Sequence, residues 1–117
     1  ENISAVEVEA VLAMHPAVKA VAVSATPDDI RGDEVLACIQ PHEEIPATAM
    51  KQVAQDIVRL ALSQLAYYKA PGYVAFVSSL PLTGSQKVQR GELRKLASQL
   101  PGQACCIDTR AMKTRQE

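Results

Sequence analysis

Apolar positions recur along this chain with two different periods. Ser4-Ala5-Val6-Glu7 has the spacing of a capping box, with Ser4 as N-cap and Glu7 placed to reach back. Val8, Val11 and Leu12 then share one helical face, and Pro16 biases His15 away from the helical region. The spacing therefore predicts a helix over 5–14, with His15 in a structural role at its end. Val18 to Ala25 is rich in valine and alternates weakly, so it reads as a strand. Residues 26–33 carry turn chemistry and read as a polar loop. Glu34 to Gln40 reads as a second strand closed by Pro41, antiparallel to the first. After a loop at 42–47, Met50, Val53, Ala54, Ile57, Val58, Ala61 and Leu65 recur at helical spacing. Lys51, Gln52, Gln55, Asp56 and Arg59 take the other side, which predicts a helix over 48–65. Pro71-Gly72 breaks the chain, and Tyr73 to Val77 reads as a third strand with Tyr73, Ala75 and Val77 on one face.

Strand, long helix and strand over residues 34–77 form a βαβ unit, which needs a parallel pair. With the strand at 18–25 added, the expected fold class is α+β. It comprises a small mixed three-stranded sheet with a βαβ unit and flanking helices. A helix over 90–98 closes the domain. Beyond Leu100-Pro101-Gly102 no periodicity is left, so residues 99–117 are expected to be a loose tail.

Composition narrows the class of protein. At 117 residues and 48% hydrophobic content the chain suits one domain with one modest core. No apolar run approaches the roughly 20 residues that span a bilayer, so no membrane span is expected. No signal peptide is visible, and Glu1 is not an initiator methionine, so the chain reads as a piece of a longer protein. A net charge of −1 favours neither nucleic acid nor membrane. The charge is unevenly spread: residues 1–50 carry nine acidic and two basic side chains, residues 51–117 ten basic and four acidic. Such a field can turn a basic face toward an anionic ligand. Three cysteines without a Cys-x-x-Cys, and only two histidines, argue against a disulfide framework and against a metal site. Cys38 lies in an apolar run and should be buried, while Cys105 and Cys106 should be free thiols. A reducing cytoplasm is the expected location.

The stretch richest in chemistry is Leu80-Pro81-Leu82-Thr83-Gly84-Ser85-Gln86-Lys87-Val88-Gln89-Arg90-Gly91-Glu92-Leu93-Arg94. A turn follows an apolar run, presents a single lysine and leads into a short basic helix. One lysine on a turn, with no acid–base partner beside it, suits an electrostatic role better than proton transfer. No Ser-His-Asp pattern and no phosphate-cradling glycine loop accompanies it. This string resembles one in the C-terminal domain of acyl-CoA synthetases of the adenylate-forming superfamily, Pro-x-Thr-x-x-Gly-Lys-hydrophobic-x-Arg-x-x-Leu-Arg. Pro81, Thr83, Lys87, Val88, Arg90, Leu93 and Arg94 match it in spacing. The family glycine before the lysine is replaced by Gln86, and Gly84 lies two positions earlier. Further matches run in family order: Asn2-Ile3-Ser4 before a Val-Glu helix, His15-Pro16-Ala17-Val18, Pro27-Asp28 with Arg31-Gly32-Asp33-Glu34, and Tyr68-Lys69-Ala70-Pro71.

The resemblance implies that residues 1–98 are the lid domain of an AMP-binding enzyme whose N-terminal ATP- and acyl-binding domain lies outside this chain. It implies an acid–thiol ligase that joins a small carboxylic acid to ATP, giving an acyl-adenylate, and then passes the acyl group to CoA. Lys87 would be the catalytic residue of the first step. Asn2, Ile3, Arg31 and Gly32 would bind CoA in the second, after the lid has turned. ATP with Mg2+ and CoA would be used by the full-length enzyme, and the lid alone should bind none of them and should be inactive. Two alternatives are an adenylation domain that serves a carrier protein and a non-catalytic α+β binding module.

Overall fold

A computed structural model describes residues 4–29 and 32–113. Its elements are α1 (Ala5–Leu12), β1 (Val18–Asp28), β2 (Gly32–Pro41), α2 (Ala47–Gln64), β3 (Tyr73–Phe76), α3 (Arg90–Gln99) and β4 (Cys106–Asp108). Short 3-10 turns lie at Tyr67–Lys69 and Arg110–Met112. The strands form one mixed sheet in the order β1-β2-β3-β4. β1 pairs antiparallel with β2, and β2 pairs parallel with β3 across α2, so the predicted βαβ unit is present.

β2 explains why the sheet is covered on both sides. Val35, Leu36, Ala37, Cys38 and Ile39 form an unbroken apolar run, and all are buried. Side chains alternate across a strand. Val35, Ala37 and Ile39 therefore join Val23, Val74 and Phe76 beneath α1 and α2, against Val8, Leu12, Ala54, Ile57, Val58 and Ala61. Leu36 and Cys38 join Ala22, Tyr73 and Ala75 on the other face, under Leu93, Ala97 and Leu100. A strand read as apolar throughout is the mark of a sheet buried on both faces.

The expected α+β class stands, with three differences in detail. First, β1 runs on through Thr26-Pro27-Asp28, which pair with Glu34, Asp33 and Gly32, so residues 26–28 and 32–33 of the expected loop are strand. Proline is tolerated there because β1 is an edge strand. Thr26 is buried, and its hydroxyl donates to the Ala97 carbonyl in α3 at 2.9 Å. Second, only half of the capping box forms. Ser4 Oγ accepts from the Glu7 amide at 3.3 Å, but the Glu7 carboxylate turns to Lys69 at 2.9 Å. Third, the sheet has four strands rather than three, and the segment expected as a loose tail is folded in its described part. β4 pairs antiparallel with β3 through Tyr73↔Asp108, Val74↔Ile107 and Ala75↔Cys106. Three residues are too few to display a period, so the pattern was silent here.

The C-terminal segment is held by polar contacts. Thr109 donates from its amide to the Gly72 carbonyl and from its hydroxyl to the Pro71 carbonyl, both at 2.9 Å. The Arg110 guanidinium grips both oxygens of Asp108 at 3.0 and 2.7 Å, reaches Asp28 at 2.8 Å, and lies 5.1 Å from the centre of the Tyr73 ring. The Lys113 ammonium is fully buried on the carboxylate of Glu34, which also accepts the Val35 amide at 2.8 Å. Gly72 lies directly against that carboxylate. A Cβ added there would sit 2.3 Å from Glu34 Cγ and Cδ.

Gly72→Ala should therefore push Glu34 off its partners and lower the unfolding free energy by about 3 kcal/mol in a urea titration. Gly91→Ala in α3, where an added Cβ meets nothing within 4 Å, should instead raise it by about 0.5–1 kcal/mol. A Gly72→Ala protein as stable as the parent would refute the close fit. A second expectation concerns acid. The hydrogen bond from Arg110 holds the Asp108 carboxyl below its usual 3.8. A depressed folded-state value means stability that is present above pH 3.8 and is lost as the pH falls through the folded-state value. Asp108→Asn should thus be less stable than the parent near neutrality, with the gap closing as the pH falls below 3.8; a gap independent of pH would contradict this.

Candidate functional site

The lysine loop is a three-residue hairpin. Leu82 and Val88 form an antiparallel bridge. Thr83 is its pivot: its carbonyl accepts from the Gln86 amide at 2.9 Å, its amide donates to the Lys87 carbonyl at 2.7 Å, and its hydroxyl accepts from the Lys87 amide at 3.1 Å. This is a turn closed by one left-handed residue, a bulge that normally calls for glycine. Gln86 fills that position with φ of 67°. Gly84, the glycine two positions earlier, does not have a positive φ. The backbone that the family glycine would favour is thus kept without the glycine. A side chain at such φ costs about 1 kcal/mol.

The flanks of the hairpin are anchored. The Gln89 amide donates to the Pro81 carbonyl at 2.8 Å, and its side chain donates to Leu82 at 3.2 Å. Leu80 and Val88 pack on the cluster under α3, in which Leu93 is fully buried. Arg90, the first residue of α3, makes a two-pronged contact with the Glu9 carboxylate in α1, at 2.8 and 3.1 Å. The same guanidinium donates to the Val23 carbonyl at 3.2 Å, and Glu9 accepts the Val23 amide at 2.7 Å. One cation thus joins α3, α1 and β1, and the bond from Glu9 raises the pKa of Arg90 further above its usual value.

Of the matched motif, Pro81, Thr83, Val88, Arg90 and Leu93 are therefore occupied in building the loop. Lys87 and Arg94 are exposed, and among the described residues neither side chain forms a hydrogen bond or ion pair. The ammonium is held at a hairpin tip with its capacity unspent.

The other nucleophiles and bases have structural occupations. His15 is buried at the end of α1; its Nδ1 accepts the Ala17 amide at 3.1 Å, which leaves Nε2 to donate to Asp56 in α2 at 2.6 Å. Burial pushes the Cys38 and Cys106 thiols up to about 12, so neither is a thiolate at neutral pH. All three cysteines are free, as expected.

The residues expected to face CoA lie apart from Lys87 in the chain. Asn2, Ile3 and Arg31 lie outside the described residues. Gly32 opens β2 with φ of 80°, and a Cβ there would meet nothing within 4 Å, so its requirement is conformational. Its neighbours Asp28 and Glu34 are the buried carboxylates held by Arg110 and Lys113.

Sequence reasoning missed Glu9, Arg110 and Lys113. Glu9 was visible only as part of the Val-Glu helix match, and the other two fall in a stretch without periodicity. The uneven charge has a different outcome from the basic face it suggested. Lys69 with Glu7, Arg90 with Glu9, Arg110 with Asp28 and Lys113 with Glu34 pair second-half cations with first-half carboxylates across the fold.

Known proteins resemble this chain in sequence and in fold. An acyl-CoA ligase of Bacillus subtilis (strain 168), itself uncharacterised, is 43% identical over 96 residues, covering 80% of this chain and 17% of the ligase. A mitochondrial medium-chain acyl-CoA ligase of Bos taurus is 35% identical over 99 residues, covering 85% of this chain and 15% of that protein. The crystal structure of Brucella canis acyl-CoA synthetase superposes with a TM-score of 0.72 at 33% identity, over 83% of this chain and 18% of the synthetase. The chain thus spans about one sixth of the length of the relatives it matches. No described helix is long and apolar enough to cross a membrane. The sequence model of the AMP-binding enzyme C-terminal domain matches residues 7–87, most of the chain, and with these relatives it establishes that this protein belongs to that family.

Proposed function

We propose that residues 1–98 are the lid of an ATP-dependent acid–thiol ligase and that Lys87 is its adenylation residue. The observation that carries this reading is the contrast within the loop: Pro81, Thr83, Val88, Arg90 and Leu93 build and anchor the hairpin, and Lys87 is displayed on it, exposed and without a partner among the described residues. A compact ammonium there can approach an acid carboxylate and an α-phosphate as negative charge moves between them. Asn2, Ile3, Arg31 and Gly32 would line the path of the CoA thiol after the lid turns. A glycine at 32 leaves room for a thin pantetheine-like chain. The acid pocket and the ATP site belong to the rest of the polypeptide, and so would the holder of Mg2+, since no group of three described His, Cys, Asp or Glu side chains could hold a metal ion. The lid alone should therefore bind neither ATP nor CoA and be inactive. Free thiols throughout the described chain favour a reducing compartment, and the cytoplasm is our reading.

In the full-length enzyme, Lys87→Ala should slow acid-dependent ATP–pyrophosphate exchange by about 10²–10³. It should leave CoA-dependent consumption of a supplied acyl-adenylate within about twofold of the parent, which is the range of ordinary surface substitutions. Equal losses in both assays would mean that Lys87 merely holds its loop. Gln86→Gly should relieve the left-handed strain and raise the unfolding free energy by about 0.5–1 kcal/mol, with pyrophosphate exchange retained. A destabilised Gln86→Gly protein would contradict the strain argument.

A further inference from the structure

Lys87 and Arg90 are three residues apart, and the backbone between them has no slack. The Lys87 amide donates to Thr83 Oγ1 at 3.1 Å, and its carbonyl accepts the Thr83 amide at 2.7 Å. Val88 is bridged to Leu82, and the Gln89 amide is bonded to the Pro81 carbonyl at 2.8 Å. The chain from Lys87 to Gln89 is thus tied across the hairpin, so a shift at the start of α3 is passed to the lysine. What fixes that start is not local. Gln89 at the N-cap of α3 makes no side-chain capping bond. A cation in the first turn opposes the helix dipole, so Arg90 is a poor choice for α3 taken by itself. Its partner lies 81 positions earlier in the chain. Both oxygens of Glu9 meet the guanidinium, at 2.8 and 3.1 Å, and Oε2 also accepts the Val23 amide at 2.7 Å. The guanidinium in turn donates to the Val23 carbonyl at 3.2 Å. Val23 lies on β1, an edge strand, so the pair seats the root of the hairpin on the open edge of the sheet.

A charge pair is not the most stabilising way to fill this place, since an apolar contact of similar volume holds as well or better. What the fork adds is direction, because a bidentate contact restricts orientation as well as distance. We propose that Glu9 is a positioning residue for adenylate formation: through Arg90 it fixes the root of the hairpin, and so the reach of Lys87 toward the reacting groups. This role rests on the reading of Lys87 as the adenylation residue. Glu9 itself touches no substrate. It acts through one guanidinium and one lysine, so its influence is confined to the half-reaction that uses that lysine. Glu7 supplies the contrast. It lies on the same helix, two positions away, and its carboxylate pairs with Lys69 at 2.9 Å, in the 3-10 turn after α2 and away from the hairpin.

The test uses the full-length ligase, with each variant assayed for acid-dependent ATP–pyrophosphate exchange and for CoA-dependent consumption of a supplied acyl-adenylate. Glu9→Gln keeps the size of the side chain and removes its charge. It should slow exchange by about ten- to a hundredfold, the range for a group misplaced by a remote change, and leave the second assay within about twofold. Arg90→Lys keeps the charge and loses the fork, and should do the same. Glu7→Gln should leave both assays within about twofold. The deciding comparison is made in the Lys87→Ala background. There Glu9→Gln should alter the residual exchange by less than about twofold, because residues that act as a unit do not lose the same effect twice. A further loss of about tenfold in that background means that Glu9 serves the fold at large, and overturns the proposal. Equal losses in both assays for Glu9→Gln and Arg90→Lys overturn it too. If Glu9→Gln does not fold, Arg90→Lys carries the same comparison. Exchange that survives both changes but falls in Lys87→Ala overturns the positioning role alone. Exchange untouched by Lys87→Ala removes the adenylation reading, and the positioning role with it.

Discussion

The contact on which the site depends is the fork between Arg90 and Glu9. A hairpin that presents a lysine needs one end fixed, and Arg90 begins the helix that follows the loop. Its guanidinium meets both oxygens of Glu9 and the carbonyl of Val23, while Glu9 holds the Val23 amide. The pair thus closes a ring among α1, β1 and α3, on a carboxylate only 15% exposed. Such bidentate, charge-assisted contacts restrict orientation as well as distance. Leu93 then sinks into the cluster beneath α3, and Val88 packs at its edge. Between these anchors only the tip, Gly84 to Lys87, stands clear of the core.

The same economy runs through the whole molecule. A domain of this size has one sheet and must cover both of its faces, which it does with α1 and α2 on one side and α3 on the other. Charged and polar side chains pair across the fold, and each pair joins distant parts of the chain: His15 with Asp56, Lys69 with Glu7, Arg110 with Asp28, Lys113 with Glu34. After this matching, the exposed cations of the α3 region without a partner among the described residues are Lys87 and Arg94.

Long periodic elements were legible in the sequence because burial writes its period into them. α2 repeats its apolar face over five turns, and β2 reads as an unbroken apolar run, so the βαβ unit followed directly. The polar end of β1 was not legible, since Thr26, Pro27 and Asp28 carry turn chemistry and are held in the strand only by pairing and by the bond from Thr26 to Ala97. β4 was hidden for a different reason: three residues display no period, and their place comes from Thr109, Arg110 and Lys113 gripping residues far away in sequence. Within the candidate site, Lys87 was singled out by the motif, whereas Glu9, which holds the anchor of its loop, is an ordinary helix glutamate until the fold brings Arg90 to it. Gln86 in place of glycine left the loop conformation open, and Thr83 decides it by closing the turn through three hydrogen bonds.

The central claim is that the unpartnered ammonium of Lys87 meets the reacting groups of the first half-reaction. The most direct measurement is a crystal structure of the full-length polypeptide trapped with an unreactive analogue of the acyl-adenylate. The account predicts Lys87 Nζ at about 3 Å from an oxygen of the α-phosphate or of the acyl carbonyl, with the Arg90–Glu9 fork intact. A structure in which the adenylate site is closed by the lid while Lys87 still faces solvent, with another cation on those oxygens, would contradict it.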